Sequence, residues 1–230
     1  MTSGQPDRCP CPRCPCPVHR QWSLCVLVTE SICKRPWEDV ARAALEAGAD
    51  CIQLREKDLP GRELLSRARR LRELTQQHDA ALVINDRPDI AALVRADGVH
   101  LGQSDLPVGE ARRIVGDGVC IGVSATTLDQ ASEALRDGAD MLGLGPMFPT
   151  STKPNPGGRT DGSVAGPTLA REVLTKHPDT PHLAIGGIGP DHIGTLRDAG
   201  VRGIAVSGAV CAADDPAAVV ERLVGLMRTG

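Results

Sequence analysis

Aromatic side chains are nearly missing from this chain: its 230 residues include one Phe, two Trp and no Tyr. Binders of single-stranded nucleic acid stack bases on such rings, so that function class has no platform here. A core without aromatics must be filled by Val, Leu, Ile and Ala, the filling of a barrel interior stacked from branched side chains. No run of about 20 apolar residues is present, which excludes a membrane-spanning helix. The start of the chain also lacks the apolar stretch of a signal peptide, and the expectation is a cytoplasmic protein. An excess of positive charge is lacking too. Lys and Arg number 26 against 29 Asp and Glu, for a net charge of −3. This balance argues against nucleic acid or a membrane surface as a general partner, and any anionic ligand must be gripped by a local cluster.

Cysteine is present but unevenly spread. Cys9, Cys11, Cys14 and Cys16 alternate with prolines inside the first 20 residues, a segment that cannot form a helix and reads as a disordered tail ahead of a domain at 21–230. Four thiols at that spacing could bind zinc, but no second Cys or His cluster lies nearby to complete a site. Cys25, Cys33, Cys51, Cys120 and Cys211 are scattered, mostly in or beside expected strands. They read as small buried hydrophobes in a reducing compartment.

From residue 24 onward short apolar runs alternate with helical patterns. Strands are expected at 24–29, 51–54, 81–84, 98–101, 119–123, 141–144, 182–185 and 203–206. Helices are expected at 36–47, 62–77, 88–94, 109–114, 128–137, 166–176, 190–198 and 216–227. Related joints recur between them, as in Ala47-Gly48-Ala49-Asp50, Asp137-Gly138-Ala139-Asp140 and Asp198-Ala199-Gly200-Val201, where glycine suits the left-handed position that ends a helix. Strands apolar on both faces, alternating with helices, imply a parallel sheet. Eight such units in this length imply an α/β fold of the (β/α)8 TIM-barrel type. The open doubly wound sheet is the rival, but no G-x-G-x-x-G follows the first strand, where its nucleotide site would need one.

In such a barrel, chemistry gathers at the C-terminal ends of the strands. Those ends are strongly polar here: Gln53-Leu54-Arg55-Glu56-Lys57, Asn85-Asp86-Arg87, His100-Leu101-Gly102-Gln103-Ser104-Asp105, Ser124, Gly186-Gly187 and Ser207-Gly208. The sixth strand ends in Gly143-Leu144-Gly145-Pro146-Met147-Phe148-Pro149-Thr150-Ser151-Thr152-Lys153-Pro154, with three hydroxyls and a lysine in four residues. Each of these features alone has a plainer reading. Arg55 or Lys57 could be solvated charges, Asp86 a helix cap, Gly186-Gly187 a tight turn, and His100 reads more readily as a satisfied rim histidine than as a base. Jointly they describe a polyphosphate site with magnesium. Asp86 and Asp105 are the hard ligands, Arg55, Lys57 and Lys153 the convergent cations, and the glycines after strands seven and eight the monophosphate cradle.

These motifs, in this order and spanning everything after the tail, resemble the thiamine-phosphate synthase family. The resemblance implies a transferase that joins a hydroxymethylpyrimidine diphosphate to a thiazole phosphate and releases pyrophosphate, with one Mg²⁺ per subunit. It further implies that Gln53, Leu54, Arg55, Glu56, Lys57, Asn85, Ser124 and Lys153 hold the pyrimidine diphosphate, with Arg55, Lys57, Ser124 and Lys153 acting in catalysis. Asp86 and Asp105 would hold the metal, and Thr150, Ser151, Thr152, Gly187, Val206 and Ser207 the thiazole phosphate. The partners are small-molecule substrates, and a homo-oligomer is compatible with the sequence. Two features depart from the family pattern, the Cys-Pro tail and a longer glycine-rich stretch at 155–163. Three rivals stay open: a thiazole tautomerase, a non-catalytic barrel that binds a phosphorylated metabolite, and a tail acting as a zinc or interaction module.

Overall fold

A computed structural model describes residues 21–150 and 164–228. The Cys-Pro tail, Ser151, Thr152, Lys153 and residues 155–163 lie outside them. Eight parallel strands close into a barrel in sequence order: β1 (Leu24–Val28), β2 (Cys51–Leu54), β3 (Ala81–Asn85), β4 (Gly98–Leu101), β5 (Cys120–Ala125), β6 (Met141–Leu144), β7 (His182–Ile185) and β8 (Ile204–Val206), with β8 pairing back onto β1. The helices are α1 (Trp37–Glu46), α2 (Gly61–Gln77), α3 (Pro88–Val94), α4 (Val108–Val115), α5 (Leu128–Arg136), α6 (Gly166–Lys176), α7 (Ile193–Asp198), α8 (Gly208–Cys211) and α9 (Pro216–Arg228). The (β/α)8 expectation therefore holds. Two of its boundaries move in ways that matter: β3 extends to Asn85 and β5 to Ala125, so Asn85 and Ser124 belong to strands rather than loops. The helix expected at 190–198 divides into a 3-10 turn, Pro190–His192, and α7, while α8 was not anticipated.

Side chains pack in two layers. One set fills the space between barrel and helices, with Ile52, Leu54, Ile84, Leu101, Ile121, Leu142 and Leu144 among its fully buried members. The other faces inward: Cys25, Leu27, Cys51, Ala81, Val83, Cys120, Met141, Leu183 and Ala205, closed at the N-terminal end by Trp22. Two buried layers explain why the strands read as continuous apolar runs.

The recurring joints have a common physical role. Gly48, Gly138 and Gly200 take φ of 100°, 93° and 86°, the left-handed helix ending that their positions anticipate. The aspartate that follows the joint then ties neighbouring strands. Asp50 accepts from the Ser23 and Leu24 N–H groups at 2.9 and 3.1 Å, Asp97 from Leu82 N–H at 2.7 Å, and Asp140 from Ile121 N–H at 2.7 Å. The last joint has Arg202 where the others have that aspartate. There the fully buried His182 substitutes, accepting from Arg202 N–H at 3.1 Å on Nε2 while Nδ1 faces the Thr180 carbonyl at 2.9 Å.

Candidate active site

At the opposite end of the barrel the inward positions become polar. Gln53 Nε2 donates to Asn85 Oδ1 at 2.9 Å, and both residues are buried. His100 Nε2 lies 2.8 Å from Ser124 Oγ, and Gln103 Nε2 donates to the Ser124 carbonyl at 2.6 Å. The imidazole fits only because two strand interiors are glycine. A Cβ on Gly122 would stand 2.8 Å from His100 Nδ1, and one on Gly143 2.7 Å from His100 Cε1. Glycine inside a strand marks such close approaches, so Gly122 and Gly143 were the signal that could have promoted His100 from rim residue to site residue.

Charge collects over β2, β3 and β4. Lys57 Nζ pairs with Asp86 Oδ2 at 2.9 Å, and Asp105 Oδ2 accepts from Gly102 N–H at 2.7 Å. Asp86 sits at φ 61°, a conformation non-glycine residues seldom adopt, while its N–H donates to the His100 carbonyl at 2.8 Å. That strained backbone turns its carboxylate toward Asp105. Burial, and then a hydrogen bond shared with Asp86, raise the Asp105 carboxyl above the usual carboxylate range, with Lys57 opposing. Two hard oxygen donors held in mutual repulsion are chemically suited to a divalent cation that keeps several waters. Among the described residues no group of three or more Cys, His, Asp and Glu is arranged to hold a metal.

The other residues singled out from the sequence divide between mouth and scaffold. Arg55 is anchored by its backbone, its N–H donating to the Val28 carbonyl at 3.0 Å and its carbonyl accepting from Thr29 Oγ1 at 2.7 Å. No described side chain pairs with its guanidinium. Glu56 instead braces the loops, accepting from Glu30 N–H at 2.7 Å and Arg67 Nη1 at 3.2 Å. Leu54 and Val206 are buried in the layer between barrel and helices, so their side chains face away from the mouth. Ser207 Oγ donates to the Leu27 carbonyl at 3.0 Å.

The loop after β6 runs alongside the end of β7, with Met147 N–H on the Ile185 carbonyl at 2.9 Å and Phe148 N–H on the Gly186 carbonyl at 3.0 Å. Gly187, at φ 64°, nests against it, where a Cβ would come 2.4 Å from the Pro149 carbonyl oxygen. Thr150 follows directly, so the hydroxyl-rich stretch leaves the described chain beside Gly187.

A barrel with acidic, cationic and glycine-lined strand ends is the frame onto which sequence comparison can be laid. A family model described as thiamine monophosphate synthase matches residues 24–210. The chain belongs to that family. The thiamine-phosphate synthase of Moorella thermoacetica is 43% identical over 204 residues, covering 88% of this chain and 94% of that protein. Its counterpart from Chloroflexus aurantiacus is 41% identical over 207 residues, 90% and 93% of the two chains. Among solved structures, thiamine phosphate pyrophosphorylase from Pyrococcus furiosus superposes with a TM-score of 0.81 at 36% identity, over 91% of this chain and 97% of that one. For a member of the thiamine monophosphate synthase family, the matched span runs from the first residue of β1 through α8, and so takes in every strand end described above.

Proposed function

We propose that this chain is a thiamine-phosphate synthase, joining 4-amino-2-methyl-5-(diphosphooxymethyl)pyrimidine to 4-methyl-5-(2-phosphooxyethyl)thiazole with release of pyrophosphate. The observation that carries the reading is the Lys57–Asp86–Asp105 cluster at the ends of β2, β3 and β4, the same strand ends that supply Arg55, whose guanidinium pairs with no described side chain, and the Gln53–Asn85 pair. A tautomerase or a passive phosphate sensor has no use for paired carboxylates facing two cations.

When the bond between the pyrimidine methylene carbon and diphosphate breaks, the electron pair leaves with the diphosphate. Arg55, Lys57 and Lys153 meet the charge that grows there, the contribution that usually dominates such departures. Asp86 and Asp105 would hold Mg²⁺, which when bound supplies further charge neutralisation to the leaving group. The aminopyrimidine ring stabilises the benzylic-type cation, so no strong base is required. Gln53, Asn85 and Ser124 orient that ring, and His100 fixes Ser124. Thr150, Ser151, Thr152, Gly187 and Ser207, with backbone at Val206, hold the thiazole phosphate so that the thiazole nitrogen lies in line with the vacated carbon. We place this work in the cytoplasm, in keeping with five free cysteines among the described residues; none of their helices is long and apolar enough to cross a membrane.

Release of pyrophosphate, measured with both substrates and with the pyrimidine diphosphate alone, tests the proposal. Rapid release together with thiamine phosphate is expected when both are present. No condensation product under either condition would overturn it.

A further inference from the structure

Two cysteines outside the mouth stand together where the barrel closes. Cys33 follows the 3-10 turn after β1, and Cys211 ends α8 after β8, so the pair bridges the β1–β8 seam. Their backbones are already joined, Lys34 N–H donating to the Cys211 carbonyl at 3.0 Å. The thiols hang from carbonyls two residues apart, Cys33 Sγ donating to the Thr29 carbonyl just past β1 at 3.2 Å and Cys211 Sγ to the Leu27 carbonyl within β1 at 3.3 Å. Each thiol shifts the other, Cys33 lowering Cys211 and Cys211 raising Cys33. A second thiol held on the adjoining stretch of backbone is the group that resolves a sulfenic acid into a disulfide. Access separates this pair from the other neighbouring thiols. Cys25 and Cys51 face each other in register across β1 and β2 but are both fully buried, whereas here only Cys211 is fully buried and its half-buried neighbour Cys33 is reachable from solvent.

We propose that Cys33 and Cys211 form a peroxide-responsive dithiol site, closing reversibly to a disulfide that staples the β1–β8 seam. In the first step a thiolate of the pair attacks hydrogen peroxide, giving a sulfenic acid and, after proton transfer, water. The second sulfur then displaces that hydroxyl, forming the S–S bond and a second water. The two thiols lose two electrons and both protons, and one peroxide is reduced to two waters.

The test uses the full-length protein, reduced, then treated with stoichiometric hydrogen peroxide, alkylated, and cut with trypsin and a glutamate-specific protease. Cleavage after Glu30 separates Cys25 from Cys33. The expected product is a cross-link between residues 31–34 and residues 203–221 that dithiothreitol removes. Because the enclosed loop is most of the barrel and the native backbone contact already exists, the oxidised protein should melt about 5–10 °C higher than the reduced one. The Cys33→Ser variant should lose both the cross-link and the shift while keeping the parent's reduced-state activity. Recovery of Cys33 as sulfinic acid, in disulfide with a tail cysteine, or alkylated with Cys211 would overturn the proposal. A cross-link that fails to raise the melting temperature would do so as well, because the native pair would then not be poised to close.

Discussion

Replacing Gly143 with Ala should uncouple the inner polar layer without substituting any ionisable group. The new Cβ would lie 2.7 Å from His100 Cε1 and 3.2 Å from Nε2. Ordinary carbon contacts need about 3.5 Å or more, so the ring must retreat by roughly 0.8 Å. A displacement of that size carries the 2.8 Å bond between His100 and Ser124 to the edge of hydrogen-bonding range. Overpacking costs about 1–3 kcal/mol and a lost buried hydrogen bond about 1 kcal/mol, so a total of about 2–4 kcal/mol is expected. In a chain of this size each kcal/mol lowers the melting temperature by roughly 2–4 °C. Urea denaturation of Gly143→Ala, His100→Ala and the double variant isolates the clash as a coupling energy. Most of the Gly143→Ala cost should vanish once the imidazole is gone. If the two costs simply add, the imidazole does not rest on Gly143 and the account of this layer fails.

Ser207 is assigned to a phosphate whose charge does not change, and Lys57 to one whose charge grows. Steady-state kinetics should therefore show Ser207→Ala raising mainly the KM for the thiazole phosphate, while Arg55→Ala and Lys57→Ala lower kcat by about two to three powers of ten; the reverse pattern would mean the two anion sites are exchanged. Asp105→Asn keeps an acceptor for Gly102 N–H but offers a weaker ligand to a hard cation, so activity should need more magnesium, and an unchanged magnesium titration would remove Asp105 from the metal site. His182 supplies a pH dependence of stability. Burial lowers its folded-state pKa below the ordinary 6.5, so its contribution is present in full above pH 6.5 and is lost as pH falls from there through the folded value. Denaturation midpoints between pH 7.5 and 5 should show that slope, flattened in His182→Gln, which should itself cost about 1–3 kcal/mol by leaving Arg202 N–H or the Thr180 carbonyl unpaired; an unaltered slope would show that another group titrates.

What the sequence could reveal followed from periodicity and punctuation. Continuous apolar runs exposed the strands because both of their faces are buried, and the Gly-Ala-Asp joints marked helix ends because only glycine takes φ near 90–100° there cheaply. What it hid was the third dimension. Glu56 is adjacent to Arg55 and Lys57 in sequence, yet its carboxylate serves Glu30 N–H and Arg67, because the partners that capture it come from the turn after β1 and from α2. Leu54 and Val206 sit among site residues but point to the opposite side of the strand, since alternate residues face opposite ways. The His100–Ser124 contact joins positions 24 apart. Helix α8 was missed because Gly208–Cys211 is too short to display a helical period.

The period-two alternation also accounts for how the mouth is divided. Following each inward row upward, β1 passes from Cys25 and Leu27 to Thr29, β2 from Cys51 to Gln53, and β3 from Ala81 and Val83 to Asn85. β4 rises to His100, β5 from Cys120 through Gly122 to Ser124, and β8 from Ala205 to Ser207. Six rows thus end in a side chain that can hydrogen-bond. The β6 row runs Met141, Gly143, Gly145 and the β7 row Leu183, Ile185, Gly187, so these two neighbours end with bare backbone. Their glycines let the β6 loop nest against β7, where any Cβ would meet a carbonyl oxygen. The arc over β2 to β4 carries the lysine, the arginine and both carboxylates instead. Two phosphorylated substrates repel each other, and under the proposed function a barrel with cations and carboxylates on one arc and open backbone on the other can hold both while keeping their charged ends apart. On the proposed function the reacting carbon and the thiazole nitrogen would then meet over Gln53, Asn85 and Ser124, three polar side chains that carry no charge.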